Sequence, residues 1–158
     1  MSRHMRAQLA LYLMGLVAAV DQLSKWWVVN KTLAETSKVE VTSYFNIILM
    51  HNRGMTFGLL NNINHAYMPF VMVGIAVAVI ALLTRWLLRT NSKLVTAALG
   101  LIMGGAIGNI FDRVRFGAVI DFLDFYYGNY HWYTFNVADA AIVAGVGLLT
   151  IDSLVRAP

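Results

Sequence analysis

The chain is 158 residues long, with 59% hydrophobic and only 13% charged side chains, about half the charged fraction of a soluble globular protein. Its formal charge of +4 is not gathered into any basic run or helix face able to follow phosphates, which excludes a nucleic-acid partner. It has no cysteine, which excludes disulfides, thiolate nucleophiles, Cys-type metal sites and acylation on a cysteine of its own.

Residues 7–20 follow Arg3 and Arg6 and have the outline of a secretory signal peptide. The apolar pattern resumes after Asp21 with Trp26, Trp27, Val28 and Val29, and no clean small-x-small site closes it. Residues 7–29 are therefore read as a retained first membrane span, with the paired tryptophans at its far interface. The next segment contains VEVTSYFNIILM, whose β-branched and aromatic residues predict a small interfacial sheet. Its glycine- and asparagine-rich end, HNRGMTFGLLNNINH, predicts turns.

Ala66 to Leu83 and Leu94 to Phe111 each run 18 residues without a charge, enough for a helix to cross most of a bilayer's hydrocarbon core. They predict spans over about 66–88 and 94–111, the first with Pro69 in its opening turn, where a missing N–H costs little. The hydrophilic connector Thr84 to Lys93 makes these two spans antiparallel neighbours. Residues 112–135 are aromatic and mixed in charge, a composition suited to the membrane interface, and a last span runs over about 136–154 with Asp139 near its start. The expected fold is a single all-α membrane domain over 1–158, four transmembrane helices with a small extracytoplasmic β-rich segment. The tails and the 84–93 connector hold six Lys or Arg in 23 residues, whereas the other two loops spread six over more than twice that length. By that density both termini are cytoplasmic.

Asp21, Asp112, Asp121, Asp124 and Asp139 then share one layer at the outer ends of the spans, where ionisable groups are costly and mark function or internal pairing. Asp21 and Lys25 are spaced for a helical ion pair and read as structural. Asn109, Asp112 and Arg113 occupy positions i, i+3 and i+4 on one face, above Gly104, Gly105 and Gly108, which permit close helix contact. That face fits interhelical glue, or an arginine and amide reaching a lipid phosphate or a substrate carbonyl. As one helix, the 18 residues separating Asp121 from Asp139 would span ~27 Å, so the two meet only if Tyr127-Gly128-Asn129 forms a turn. Two carboxylates together in a low-dielectric site share a proton, activating a water while protonating a carbonyl. The other protease chemistries lack material: there is no G-x-S-x-G and no H-E-x-x-H. His4, His51, His65 and His131 lack ligand spacing and read as interface residues, so no metal and no cofactor is expected. A small transporter or proton channel is the rival class, but its relay acids belong near the midplane, whereas Ala66 to Leu83 and Leu94 to Phe111 are acid-free.

Five motifs appear in order: Asp21-Gln22-Leu23-Ser24-Lys25, Asn52-Arg53-Gly54-Met55-Thr56-Phe57-Gly58, Gly104-Gly105-Ala106-Ile107-Gly108-Asn109-Ile110-Phe111-Asp112-Arg113, Val119-Ile120-Asp121-Phe122 and Phe135-Asn136-Val137-Ala138-Asp139. Together they resemble the bacterial lipoprotein signal peptidases (signal peptidase II). That resemblance implies a four-helix inner-membrane aspartyl endopeptidase, its site near the outer leaflet, that cuts prolipoproteins before a diacylglyceryl-modified cysteine. It implies Asp121 and Asp139 as the catalytic pair and Asn52, Gly54, Asn109, Arg113 and Asn136 as substrate-binding residues. Asp21, Lys25 and Asp112 would be supporting positions. The expected partners are lipid-modified prolipoproteins and membrane lipid, the protein acting as a monomer. Met55 and Thr56 stand where the family usually has two alanines, which leaves the shape of that loop open.

Overall fold

The computed structural model describes residues 2–34, 36–54 and 67–156. Met55, Thr56, Phe57 and Gly58, with the beginning of the expected second span at Ala66, lie outside the described residues. Four helices are long and apolar enough to cross a membrane: α1 Arg3–Trp27, α2 Met68–Arg89, α3 Lys93–Phe116 and α4 Val137–Arg156. A π-helical turn, Val28–Thr32, prolongs α1. Strands β1 Lys38–Thr42, β2 Phe45–Asn52, β3 Val119–Tyr127 and β4 Tyr130–His131 form one antiparallel sheet in the order β1-β2-β3-β4.

Two boundaries differ from the sequence reading. α2 ends at Arg89, one residue past the expected 88, so the hydrophilic stretch Thr84 to Arg89 forms its last turns rather than a free connector, with the Thr84 hydroxyl returned to the carbonyl of Ile80. Only Thr90 to Ser92 connect α2 to α3. Ser92 caps α3 by accepting from Val95 N–H and donates to Asp152 at the far end of α4 (2.9 Å), so one hydroxyl joins the two helix ends. At the other end α3 runs five residues past Phe111 and stops at Gly117, whose φ of 69° supplies the left-handed cap. Asp112 and Arg113 are thereby helical.

The third helix is the central one. Val95, Leu99 and Met103 form its buried core with Met14 of α1, Ile80, Leu83 and Leu87 of α2, and Leu149 of α4. By contrast α2 buries only Met68 and turns Phe70, Leu82 and Leu88 outward, the all-round apolar surface of a helix that faces lipid. Neighbours approach α3 where it lacks side chains. A Cβ on Gly104 would lie 2.9 Å from the Met14 carbonyl of α1, and one on Gly105 would collide with the Ala138 carbonyl of α4. Small residues of this kind drive helix association where no hydrophobic effect operates between helices.

The sheet sits against the end of α1. Phe122 of β3 packs on Val28 and Leu33, with Val39, Ile47 and Leu49 from the other strands around them. A register irregularity between Ile47 and Met50 gives β2 one extra residue against β3. This bulge flips the side-chain alternation. Asn46 and Asn52, which a regular strand would point the same way, therefore bond carboxylates on opposite faces of β3, Asp124 and Asp121 respectively.

Gly105→Ala is expected to lower the thermal unfolding midpoint in detergent, with a loss of about 1–3 kcal/mol from overpacking against α4. Gly147→Ala, whose added methyl meets nothing within 4 Å, should leave the midpoint unchanged or raise it. Parallel thermal scans of the two purified variants check both.

Candidate active site

The two expected carboxylates reach the site by different routes. Asp121 stands on β3 and is fully buried. The chain then turns at Gly128 (φ 59°) and comes back as β4, and the bridge between Leu123 and Phe135 lays the returning segment along β3. This brings Asn136 beside Asp121. Asn136 is also the cap of α4: its Oδ1 accepts the Asp139 N–H (2.9 Å), and Asp139 Oδ2 accepts the Asn136 N–H (3.3 Å). That reciprocal pair is a capping box, which fixes Asp139 in the first turn of the helix, where the backbone dipole favours a negative charge.

Asparagine amides join the carboxylates. Asn136 Nδ2 donates to Asp121 Oδ1 (2.7 Å) and to Asn109 Oδ1 (3.2 Å), and Asn109 Nδ2 donates to Asp139 Oδ1 (2.8 Å). Asn52 Nδ2 donates to the other oxygen of Asp121 (3.0 Å), while Asn52 Oδ1 accepts the N–H of Gly54 (2.8 Å). Gly54 has a φ of 83°, a conformation that L side chains rarely adopt. Its N–H is the contact it makes with Asn52. Asp139 is half-buried and faces a cavity of about 600 Å³ lined by Asn52, Trp132, Tyr133, Phe135, Val143 and Ala144, an apolar cleft with few polar groups of the kind that takes a ligand.

Burial pushes the Asp121 carboxyl up to about 6. The hydrogen bond from Asn52 opposes that rise, the negative charge of Asp139 adds to it, and the Asn136 bond and the charge of Lys25 again oppose it.

The supporting positions form a buried ionic cluster behind the pair. Lys25 Nζ lies 2.7 Å from both Asp21 Oδ2 and Asp112 Oδ2 and 3.4 Å from Asn109 Oδ1. The i, i+4 pair expected from the sequence is thus one half of a triad spanning α1 and α3. Asp21 Oδ1 accepts the N–H of Ala138 (2.9 Å) and Asp112 Oδ2 that of Ile120 (3.1 Å). Gln22, not singled out from the sequence, donates to Asp112 Oδ1 (2.8 Å) and to the carbonyl of Gly108 (3.2 Å). Arg113 makes no ion pair within 4 Å among the described residues and donates to the Asn109 carbonyl (3.3 Å). The nearby carboxylates Asp21 and Asp112 are both held by Lys25.

Asp124 lies on the opposite face of β3, bonded to Asn46 (2.9 Å) and to His131 Nδ1 (2.8 Å). His131 is thus a carboxylate partner within the sheet rather than only an interface residue. Tyr133 had no sequence signal either, yet its hydroxyl lies 2.7 Å from Asn52 Nδ2.

The sequence matches the family described as "Signal peptidase (SPase) II" over residues 13–155. It is 42% identical over 143 residues to the lipoprotein signal peptidase of Solibacter usitatus, covering 89% of this chain and 87% of that protein. To the one from Rhodopseudomonas palustris it is 43% identical over 145 residues, covering 89% and 88%. Two solved structures, each described as a bacterial membrane enzyme, superpose on the fold with 26% identity. Their TM-scores are 0.78, over 94% of both chains, and 0.77, over 92% of this chain and 87% of that one. Four apolar helices, a small antiparallel sheet and a match across nearly its whole length place this chain in the signal peptidase II family of membrane peptidases.

Proposed function

We propose that Asp121 and Asp139 are the catalytic carboxylates with which this peptidase removes the signal peptide from diacylglyceryl-modified prolipoproteins. The observation that carries the reading is that one asparagine, Asn136, bonds both groups at the wall of an open cleft. With one proton between them, the ionised member takes a proton from a water as it attacks the scissile carbonyl carbon. The protonated member gives its proton to the carbonyl oxygen. Collapse of the tetrahedral intermediate, with a proton passed to the leaving nitrogen, breaks the C–N bond and returns the pair to its starting state. Asn52, Asn109 and Asn136 hold the carboxylates by neutral amides, which orient them without pinning the shared proton.

The chain works as one integral membrane domain, with its spans in α1, α2, α3 and α4, in the cytoplasmic (inner) membrane. The site gathers the C-terminal ends of α1 and α3 and the N-terminal end of α4, so the termini lie at the opposite end of the helices, and the Lys and Arg density puts them in the cytoplasm. The carboxylate pair then lies near the outer leaflet, level with the diacylglyceryl group of a substrate. In this reading the protein acts as a monomer, and no cofactor is assigned. Arg113, at the same level, donates to the ester oxygens of the substrate's diacylglyceryl group through its planar fork, and Asn109 adds a donor.

Asp121→Asn and Asp139→Asn should each abolish cleavage of a diacylated prolipoprotein while leaving the thermal midpoint within a few degrees, because shape is kept and the shared proton is lost. Asp124→Asn, on the far face of β3, should retain most activity, and turnover assays on the purified variants measure both. The raised value of Asp121 means that the shared proton is present below it and lost as pH rises through it. The alkaline limb of kcat/KM should therefore lie at about pH 6 or above, higher wherever lipid desolvates the cleft further, and a pH–rate profile measures it. Arg113→Lys should lower turnover of the lipid-modified substrate about tenfold despite the conserved charge, since an ammonium cannot reproduce the fork.

A further inference from the structure

Asn52 has one acceptor and two donor hydrogens, and the structure accounts for all three. Its oxygen takes the Gly54 N–H (2.8 Å), one hydrogen goes to Asp121 Oδ2 (3.0 Å) and the other to the Tyr133 hydroxyl (2.7 Å). The three partners come from different places: Gly54 follows β2, Asp121 stands on β3, and Tyr133 belongs to the segment between β4 and α4. Tyr133 also lines the cleft beside Asp139 and is half-exposed. The neighbouring aromatics Tyr127 and Trp132, at 87% and 73% exposure, project from the same hairpin far more freely. A tyrosine that served only as an interfacial ring would not need its oxygen set against an amide already bonded to a buried carboxylate.

We infer that Tyr133 is a positioning residue for the carboxylate pair: by accepting one hydrogen of the Asn52 amide it holds the other on Asp121. The inference rests on the proposed role of Asp121. Asn52 is the last residue of β2, and the Gly54 contact alone leaves its amide a single fixed point. The hydroxyl adds a second, so the amide plane cannot swing away from Asp121. The groups whose charges act on Asp121 are Asp139 on α4, Lys25 on α1 and Arg113 on α3. Tyr133 also faces Arg113, so the Asn52→Ala background separates the two routes: an effect through the Asn52 bond disappears there and one through Arg113 persists. That bond favours ionised Asp121, and weakening it moves the titration upward.

The test compares wild type, Tyr133→Phe, Asn52→Ala and the double variant, as full-length protein in one lipid–detergent mixture, on a diacylated prolipoprotein. Tyr133→Phe is expected to lower kcat about three- to tenfold, the worth of one hydrogen bond, with KM within about twofold. It should also raise the alkaline limb by about half a pH unit. In the Asn52→Ala background it should have no further effect, the signature of two residues acting through one contact. Unchanged kcat and limb in Tyr133→Phe, an effect confined to KM, or additive losses in the double variant would each overturn the inference. The single variant decides even where Asn52→Ala is too slow to follow. Full activity of Asp121→Asn would overturn the reading of the pair itself, whereas an inactive Asp121→Asn beside a wild-type Tyr133→Phe would overturn this inference alone.

Discussion

The buried ammonium of Lys25 is the constraint on which the rest of the site depends. It bonds Asp21 and Asp112, from two different helices, at 2.7 Å each, and all three groups are at most 2% exposed. Taking three charges out of water is expensive, and such a cluster is a poor source of net stability. What it supplies is register. Asp21 holds the backbone N–H of Ala138, the residue before Asp139, and Asp112 holds that of Ile120, the residue before Asp121. One nitrogen atom thus ties the start of β3 to the start of α4, and with them the two residues to which the chemistry is assigned. Gly108 permits this, since a Cβ there would lie 2.5 Å from Asp21 Oδ2.

Around that anchor each carboxylate is held by local structure of a different kind. A capping box fixes Asp139, and its orientation follows from the geometry of a helix start. For Asp121 the constraint is a sheet whose register is shifted by a bulge in β2, without which Asn52 would face the other side of β3. The remaining contacts run through neutral amides: Asn136 to Asp121 and Asn109, Asn109 to Asp139. Neutral donors can steady a carboxylate in either protonation state of its partner, which a cation at the same distance would not.

Much of this was legible in the residues. Charge-free runs marked the second and third helices, the glycine spacing marked the face of α3 that its neighbours approach, and Tyr127-Gly128-Asn129 marked the turn that brings the two aspartates together. Three features were not legible. The strand β3 carries acids on both faces, Asp121 on one and Asp124 on the other, so VIDFLDF lacks the alternation of a half-buried strand. The burial of Asp21 and Lys25 could not be read from their spacing, because Asp112, the partner that completes the triad, is 87 residues from Lys25. The contact of Tyr133 with Asn52 joins residues 81 apart through a bulge and a hairpin, and neither residue carries a local signal of the other. The basic stretch Arg85 to Arg89 falls in the last turns of α2, in keeping with the expected span to about 88, because long basic side chains at a helix end can reach the interface.

The claim that one buried ammonium sets the geometry of the proposed catalytic pair is tested most directly by the turnover of Lys25→Met, measured well below its unfolding midpoint and with helical content verified by circular dichroism. Loss of the tie leaves Asp21 and Asp112 to repel one another and frees the starts of β3 and α4, and a displacement of about 1 Å at a reacting group costs on the order of a hundredfold in rate. The account predicts a folded protein of lowered midpoint whose kcat falls by about that factor. A folded Lys25→Met that cleaves at the wild-type rate would contradict it.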